Sequence, residues 1–184
     1  TEVDTHMNKN NEWGAVAYLT QSIYGRCTNS TTCTEIGINN NRNYITGYGA
    51  PAGNSSSNSN GTYNTLLGKD ASTTGTIYGI YDMSGGAYEF VMGVYSKTIS
   101  NSGFSSLPDS KYYNNYTGSS YTGHALTETA GWYSDDADFV NSSFPWFIRG
   151  RSYGDGLAAG VFYFSRDAGG SYYLYSSRLV ISSE

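Results

Sequence analysis

An α+β domain with one helix, short aromatic-rich strands and much irregular loop is what this 184-residue sequence predicts. Three observations carry that expectation. Aliphatic side chains are sparse while 19 Tyr, 7 Phe and 3 Trp supply large apolar area, so the core should be aromatic. Short apolar clusters alternate with Gly, Ser, Asn and Thr, and 23 Gly against 3 Pro favour turns over long regular elements. Only one segment sustains a helical period. Scarce aliphatics by themselves would suggest disorder, but a net charge of -5 is small and the aromatics are many, which argues for a folded chain. The length fits a single domain over residues 1–184.

The helix is expected from about residue 11 to about 22. Trp13, Val16, Ala17 and Thr20 recur at i, i+3, i+4 and i+7 and give it one apolar face. Asn10 or Asn11 can cap it, Glu12 suits its positive end, and Gly25 follows as a stop. Cys27 and Cys33 bound a short polar loop and read as a local disulfide, worth roughly 2 kcal/mol. A metal site would need further ligands, and His6 and His124 stand apart from any ligand-spaced cluster.

Residues 35–48 alternate weakly, and 54–61 form a low-complexity Ser/Asn loop. Two apolar runs, 77–81 and 88–92, flank a permissive turn at 82–86. From 101 to 143 the scarcity of aliphatics predicts long structured loops. In the tail, 144–149, 161–164 and 178–182 are strand-like by aromatic and β-branched content, forming three core strands. Between them lie two polar stretches, 151–159 and 165–176, which would be exposed on that rigid frame.

Charge narrows the function classes. With 10 Lys plus Arg and a pI near 4.9, no basic stripe exists for a phosphate backbone, so nucleic acid is excluded as a partner. No apolar run approaches the roughly 18 residues that span a bilayer, so no membrane insertion is expected. The first residue is Thr1, without an initiator Met or secretory h-region, which reads as a fragment whose export signal, pilin segment or anchor lies upstream. The polar, Lys-poor composition points to an extracellular surface protein.

Recognition is the function the tail suggests. Ten of the 19 tyrosines fall between Tyr112 and Tyr175, and Tyr with Ser, Gly and Asn is the composition of a binding surface. The candidate contacts are Arg151, Tyr153, Asp155, Leu157 and Ala159 in the first stretch. In the second they are Ser165, Arg166, Asp167, Ser171, Tyr172, Leu174 and Tyr175. Arg151 and Arg166 would be the charged anchors, and Tyr163, with Phe162 and Phe164, would face the core. The acidic run Asp135, Asp136 and Asp138 reads either as a solvated turn or as a calcium site. No cofactor is expected, and the partner would be a protein or a glycan.

Four segments in order carry a resemblance. Asn10-Asn11-Glu12-Trp13 with Ala15, Ala17 and Tyr18 is similar to the Trp-containing helix of formylglycine-generating-enzyme-like (sulfatase-modifying) domains. Residues 79–90, Gly-Ile-Tyr-Asp-Met-Ser-Gly-Gly-Ala-Tyr-Glu-Phe, resemble the Gly-Leu-Tyr-Asp-Met-x-Gly-Asn-Val-Trp-Glu-Trp signature of that family. Arg149-Gly150-Arg151-Ser152-Tyr153 and Ser177-Arg178-Leu179-Val180 resemble its Arg-Gly-Gly-Ser-Trp and Gly-Phe-Arg-Leu-Val segments. The resemblance implies a C-type lectin-like fold of the formylglycine-generating-enzyme-like subtype, with twisted antiparallel strands and one or two helices. It implies structural roles for Arg149 and Arg178 at strand ends.

Within that superfamily the enzymatic branch depends on a late cysteine pair or on clustered histidines, and this sequence has no cysteine after Cys33. Chemistry of that kind therefore lacks its nucleophile and ligands. The characteristic Glu-Pro-Asn triplet of calcium-dependent sugar binding is missing too. The nearer resemblance is to the variable proteins of diversity-generating retroelements, above all the pilin-linked, surface-displayed members of gut bacteria. It implies a non-enzymatic adhesin or pilus-tip domain whose variable region, about 144–182, is diversified for ligand recognition. A sulfatase-modifying-factor-like oxidase and a structural pilus or phage tail subunit remain the alternatives.

Overall fold

The computed structural model describes residues 3–54 and 61–183. The architecture is mixed α+β, mostly sheet with few helices and long irregular loops. Residues 55–60, the heart of the expected low-complexity loop, lie outside the described residues.

Strand β1 (Val3–Met7) leads into helix α1 (Asn10–Thr20). The helix starts one residue earlier than the sequence suggests, with Lys9 rather than Asn10 or Asn11 at the N-cap. Glu12 supplies the cap by accepting the Lys9 backbone N–H at 2.7 Å, a carboxylate at the positive helix end. Asn10 is fully buried instead, and its amide donates to the Tyr116 hydroxyl at 2.9 Å. Trp13, Ala17 and Thr20 form the buried stripe, and the Trp13 indole N–H donates to the Val161 carbonyl at 2.8 Å. Gly14 admits the His124 backbone, which would lie 2.4 Å from any Cβ there. After the helix, Cys27 and Cys33 are joined by a disulfide with Cα atoms 3.9 Å apart.

A short hairpin of β2 (Tyr48–Gly49) and β3 (Gly61–Thr62) precedes the five-residue helix α2 (Leu66–Asp70). The weakly alternating stretch 35–48 forms no strand before β2 and contributes only the bridges Ile38 to Ala50 and Asn39 to Gly85. The run 77–81 is not a strand either. Thr73 ties it into a closed loop by accepting from the Ile80 N–H through its hydroxyl and donating its own N–H to the Ile80 carbonyl. That leaves Ile77, Tyr78 and Ile80 exposed.

The central sheet has five strands. Its longest is β4 (Tyr88–Tyr95), flanked on one side by parallel β5 (Asn114–Tyr116). On the other side β6 (Trp146–Arg149) pairs antiparallel with β4, and β7 (Phe164–Asp167) pairs antiparallel with β6 at the sheet edge. β8 (Tyr175–Ser176) runs parallel to the start of β4. A register shift between Phe90 and Val94 brings Gly93 under α1, where a Cβ would meet Asn10 at 3.0 Å and Phe147 at 3.1 Å.

The core is mixed rather than aromatic: among the described residues, buried Ile, Val, Leu, Met and Ala side chains outnumber the aromatic ones, and most tyrosines lie outside the core. Trp13, Val91, Leu126, Phe147, Phe162 and Phe164 anchor it. Phe147 meets Tyr116 and Phe139 edge to face, each at 5.1 Å between centroids. Arg149 lies fully buried inside, donating to Asn10 Oδ1 at 3.2 Å and the Ala125 carbonyl at 3.0 Å, with Trp13 and Phe164 ring faces beside it. Burial pulls its guanidinium down to about 9.

Two expectations for the tail strands are corrected. The 161–164 run enters the sheet only at Phe164 and continues to Asp167, because Val161, Phe162 and Tyr163 are wrapped around Asp135, whose Oδ2 accepts the Phe162 N–H at 2.9 Å. The last strand, β9 (Leu179–Ser183), is not a core strand. It pairs antiparallel with β1 as a separate ribbon, and its Leu179 and Ile181 are exposed.

Candidate ligand-contacting surface

The two polar tail stretches are held by framework atoms and meet over one side chain. In the first stretch, the tight turn at Gly85 and Gly86 grips both sides of Arg151. The Gly85 N–H donates to the Gly150 carbonyl at 2.8 Å, and the Tyr153 N–H donates to the Gly86 carbonyl at 2.9 Å. Positive φ values of 72° and 73° at these glycines make that turn possible. In the second stretch, Tyr88 N–H donates to the Leu174 carbonyl at 2.9 Å and Asn101 N–H to the Ala168 carbonyl at 2.9 Å. Tyr88 joins the two: its hydroxyl donates to Asp155, and its ring stands edge-on to Tyr175 at 5.8 Å.

The predicted contacts divide by their surroundings. Leu157, Ser171 and Tyr172 are exposed, and Tyr153 and Leu174 are half-buried. Ala159 is corrected: it is 1% exposed and packs with Ile38 and Ala50, because the short 3-10 turn at Gly156–Ala158 folds the chain inward just before it. Asp155 is half-buried and fully engaged by Tyr88, by the backbone and hydroxyl of Ser152, and by Arg151. Asp167 is engaged as well, accepting the Gly169 N–H at 2.7 Å and the Tyr175 hydroxyl at 2.7 Å. Burial, and then Asp167, push the Tyr175 phenol upward. Ser165 sits within β7 opposite Ile148.

The two arginines are internal clamps rather than free anchors. Arg151, with φ of 62°, pairs with Asp136 and Asp155 and lies over the Tyr163 ring at 5.3 Å. Arg166 pairs with Asp138 at 3.1 Å and donates to the Phe139 carbonyl at 3.2 Å. The acidic run thus serves as counter-charge and backbone cap: Asp136 for Arg151, Asp138 for Arg166, Asp135 for Phe162. Among the described residues no group of three metal-ligating side chains forms. His6 lies 2.9 Å from Glu12, and His124 lies 2.8 Å from the Tyr116 hydroxyl. Glu89, the remaining buried carboxylate of the signature segment, is gripped by Arg178.

A hollow of about 530 Å³ opens beside the second stretch. Buried Met92 and Trp146 and half-buried Phe90 form its floor, while half-buried Tyr175 and exposed Phe104 and Tyr172 also line it. Of the predicted contacts, Ser171, Tyr172 and Tyr175 reach it. Sequence reasoning missed the loop 101–104, the floor residues and the exposed Tyr173. Phe104, a lone aromatic within Ser and Gly, was the available signal. Among the described residues, no helix is long and apolar enough to cross a membrane. No protein-family model, curated protein or solved structure matches this chain.

Proposed function

We propose that this chain is a non-enzymatic ligand-binding domain of C-type lectin-like fold, displayed outside the cell as the variable protein of a diversity-generating retroelement. One observation carries the reading. The tail backbone at 150–153 and 168–175 is pinned by hydrogen bonds to Gly85, Gly86, Tyr88 and Asn101, while Leu157, Ser171, Tyr172 and Tyr173 project to solvent. Side chains on such a frame can be exchanged without moving the chain. The Cys27–Cys33 disulfide favours an oxidising, extracellular setting. The engagement of Glu89, Asp135 and Asp155 in structural bonds favours recognition over catalysis.

The test is a library randomised at Leu157, Ser171, Tyr172 and Tyr173, displayed and selected on unrelated proteins. Members that keep the parental melting temperature while acquiring new partners support the reading, and broad unfolding across the library refutes it. The neighbouring genomic DNA gives a second check: a reverse transcriptase gene and a near-copy of codons 144–182 differing only at adenines.

A further inference from the structure

We propose that the β1–β9 ribbon joins a second copy of this chain, through antiparallel pairing of the two β9 edges about a two-fold axis. Side chains alternate along a strand, and the side packed against the body of a domain is normally the apolar one. In this ribbon the order is reversed. The side turned to the body carries Asp4, His6 and Val180, all half-buried, with the Tyr112 hydroxyl donating to Asp4 at 3.0 Å and His6 lying 2.9 Å from Glu12. The other side carries Val3, Thr5, Leu179 and Ile181, all exposed, with Leu179 71% and Ile181 72% open to solvent. Met7, opposite Leu179, returns to the core at the ribbon's root. A one-residue slip would exchange the two sides and break the Asp4 and His6 contacts, so these contacts hold the apolar side outward.

Among the described residues β9 pairs with β1 alone, so its outer edge has no strand beside it. Leu179-Val180-Ile181-Ser182-Ser183 contains no charged residue and no Pro, the devices that keep a free edge from pairing. Antiparallel pairing about a two-fold needs no second sequence: one neutral edge complements its own copy, with Ile181 facing Ile181. The apolar tract continues beyond the strand. Leu179 and Val180 line a hollow of about 440 Å³ with Val16, Ile80 and Met83. An adjoining hollow shares Val16 and Ile80 and reaches exposed Leu19, Tyr24 and Tyr78. Val3, Leu179, Ile181, Leu19, Tyr24 and Tyr78 together offer on the order of 700 Å². That exceeds the roughly 300–600 Å² of a typical monomer's largest apolar patch and approaches the about 800 Å² that each side of a standard interface buries. The charged neighbours are already matched, Glu12 by His6 and Lys9 and Arg178 by Glu89. A charged partner would find no counter-charge on the tract, whereas a second copy brings an equally uncharged one and keeps its net charge of -5 out of the contact. None of the candidate ligand contacts between 151 and 175 belongs to this tract, so the dimer and the binding role are tested separately.

Sedimentation equilibrium of the 184-residue protein, from micromolar to millimolar concentration, should show a monomer and dimer in exchange. Leu179→Lys and Ile181→Lys, each at an exposed position, should weaken the dimer at least tenfold while the circular dichroism spectrum is retained. Hydrogen exchange gives a second readout: the outward-pointing β9 amides should exchange more slowly as concentration rises in the parent and not in the Lys variants. Measured in the parent alone, that slowing remains a test even where a variant fails to fold. Tyr173→Lys, on the tail surface, should leave the dimer intact. A parent that stays monomeric throughout overturns the inference, whether the tract is bare or covered by a different protein. So does a dimer that both β9 substitutions leave unchanged, or one that Tyr173→Lys abolishes. A dimer without concentration-dependent slowing at β9 overturns the strand pairing.

Discussion

The Tyr88 hydroxyl donates to Asp155 Oδ2 at 3.1 Å, and that one bond ties the central strand β4 to the first tail loop. The same carboxylate accepts from the backbone and hydroxyl of Ser152 and pairs with Arg151. Asp155 therefore holds the first tail loop against the central strand. Asp155→Ala should cost about 1–3 kcal/mol in urea unfolding, because it leaves the Tyr88 hydroxyl and the Ser152 N–H and hydroxyl without their acceptor and removes one of the two carboxylates paired with Arg151.

Leu157 and Ala159 lie two residues apart and should respond oppositely. Leu157→Ser, at a position 59% exposed, should change stability by no more than about 0.5 kcal/mol. Ala159→Leu forces a larger group between Ile38 and Ala50 and should cost about 1–3 kcal/mol. Thermal melts of the two variants side by side measure the contrast.

Burial, then the nearby Asp135 charge, push the Glu35 carboxyl up to about 8. Burial pushes Asp135 itself up to about 7, against the lowering effect of its bond from Phe162. Both folded values lie above the ordinary carboxyl values of 4.5 and 3.8, so the folded state holds protons that the unfolded chain releases. Their contribution to stability is complete below about pH 4 and is lost as pH rises through 7 and 8. Glu35→Gln should leave stability nearly unchanged at pH 4 and raise it by about 2 kcal/mol at pH 9, a figure already discounted for solvent screening. Denaturant titrations at the two pH values give the difference directly.

Arg178 grips buried Glu89 with two nitrogens and also donates to the Tyr81 and Asp82 carbonyls at 3.2 and 3.0 Å. Burial raises the Glu89 carboxyl, and Arg178 counters it. Arg178→Leu should cost about 3–5 kcal/mol by leaving that carboxylate without its counter-charge. The double variant Glu89→Leu with Arg178→Leu should recover part of the loss, and a double-mutant cycle in urea separates the pair from its surroundings.

Helix α1 was legible because Trp13, Ala17 and Thr20 mark one face at helical spacing, and β4 and β6 because aromatic and β-branched runs there are dense. Residues 77–81 carry the same kind of composition yet form no strand, since Thr73 binds Ile80 and closes the loop before any strand can pair with it. The tail stretches were legible as polar segments between apolar ones. The hollow was not, because Phe104 and Trp146 are 42 positions apart and only packing places their rings 5.8 Å from each other.

The sequence by itself determined one amphipathic helix and the position of the polar tail segments, because these follow from composition and local period. Only the tertiary structure decided which tail side chains are available. Asp136 and Asp138 neutralise Arg151 and Arg166, the Ile38 and Ala50 side chains enclose Ala159, and Tyr88 brings two separate stretches onto one surface. Each of these depends on groups brought together from distant parts of the chain, and a linear pattern carries no record of such meetings.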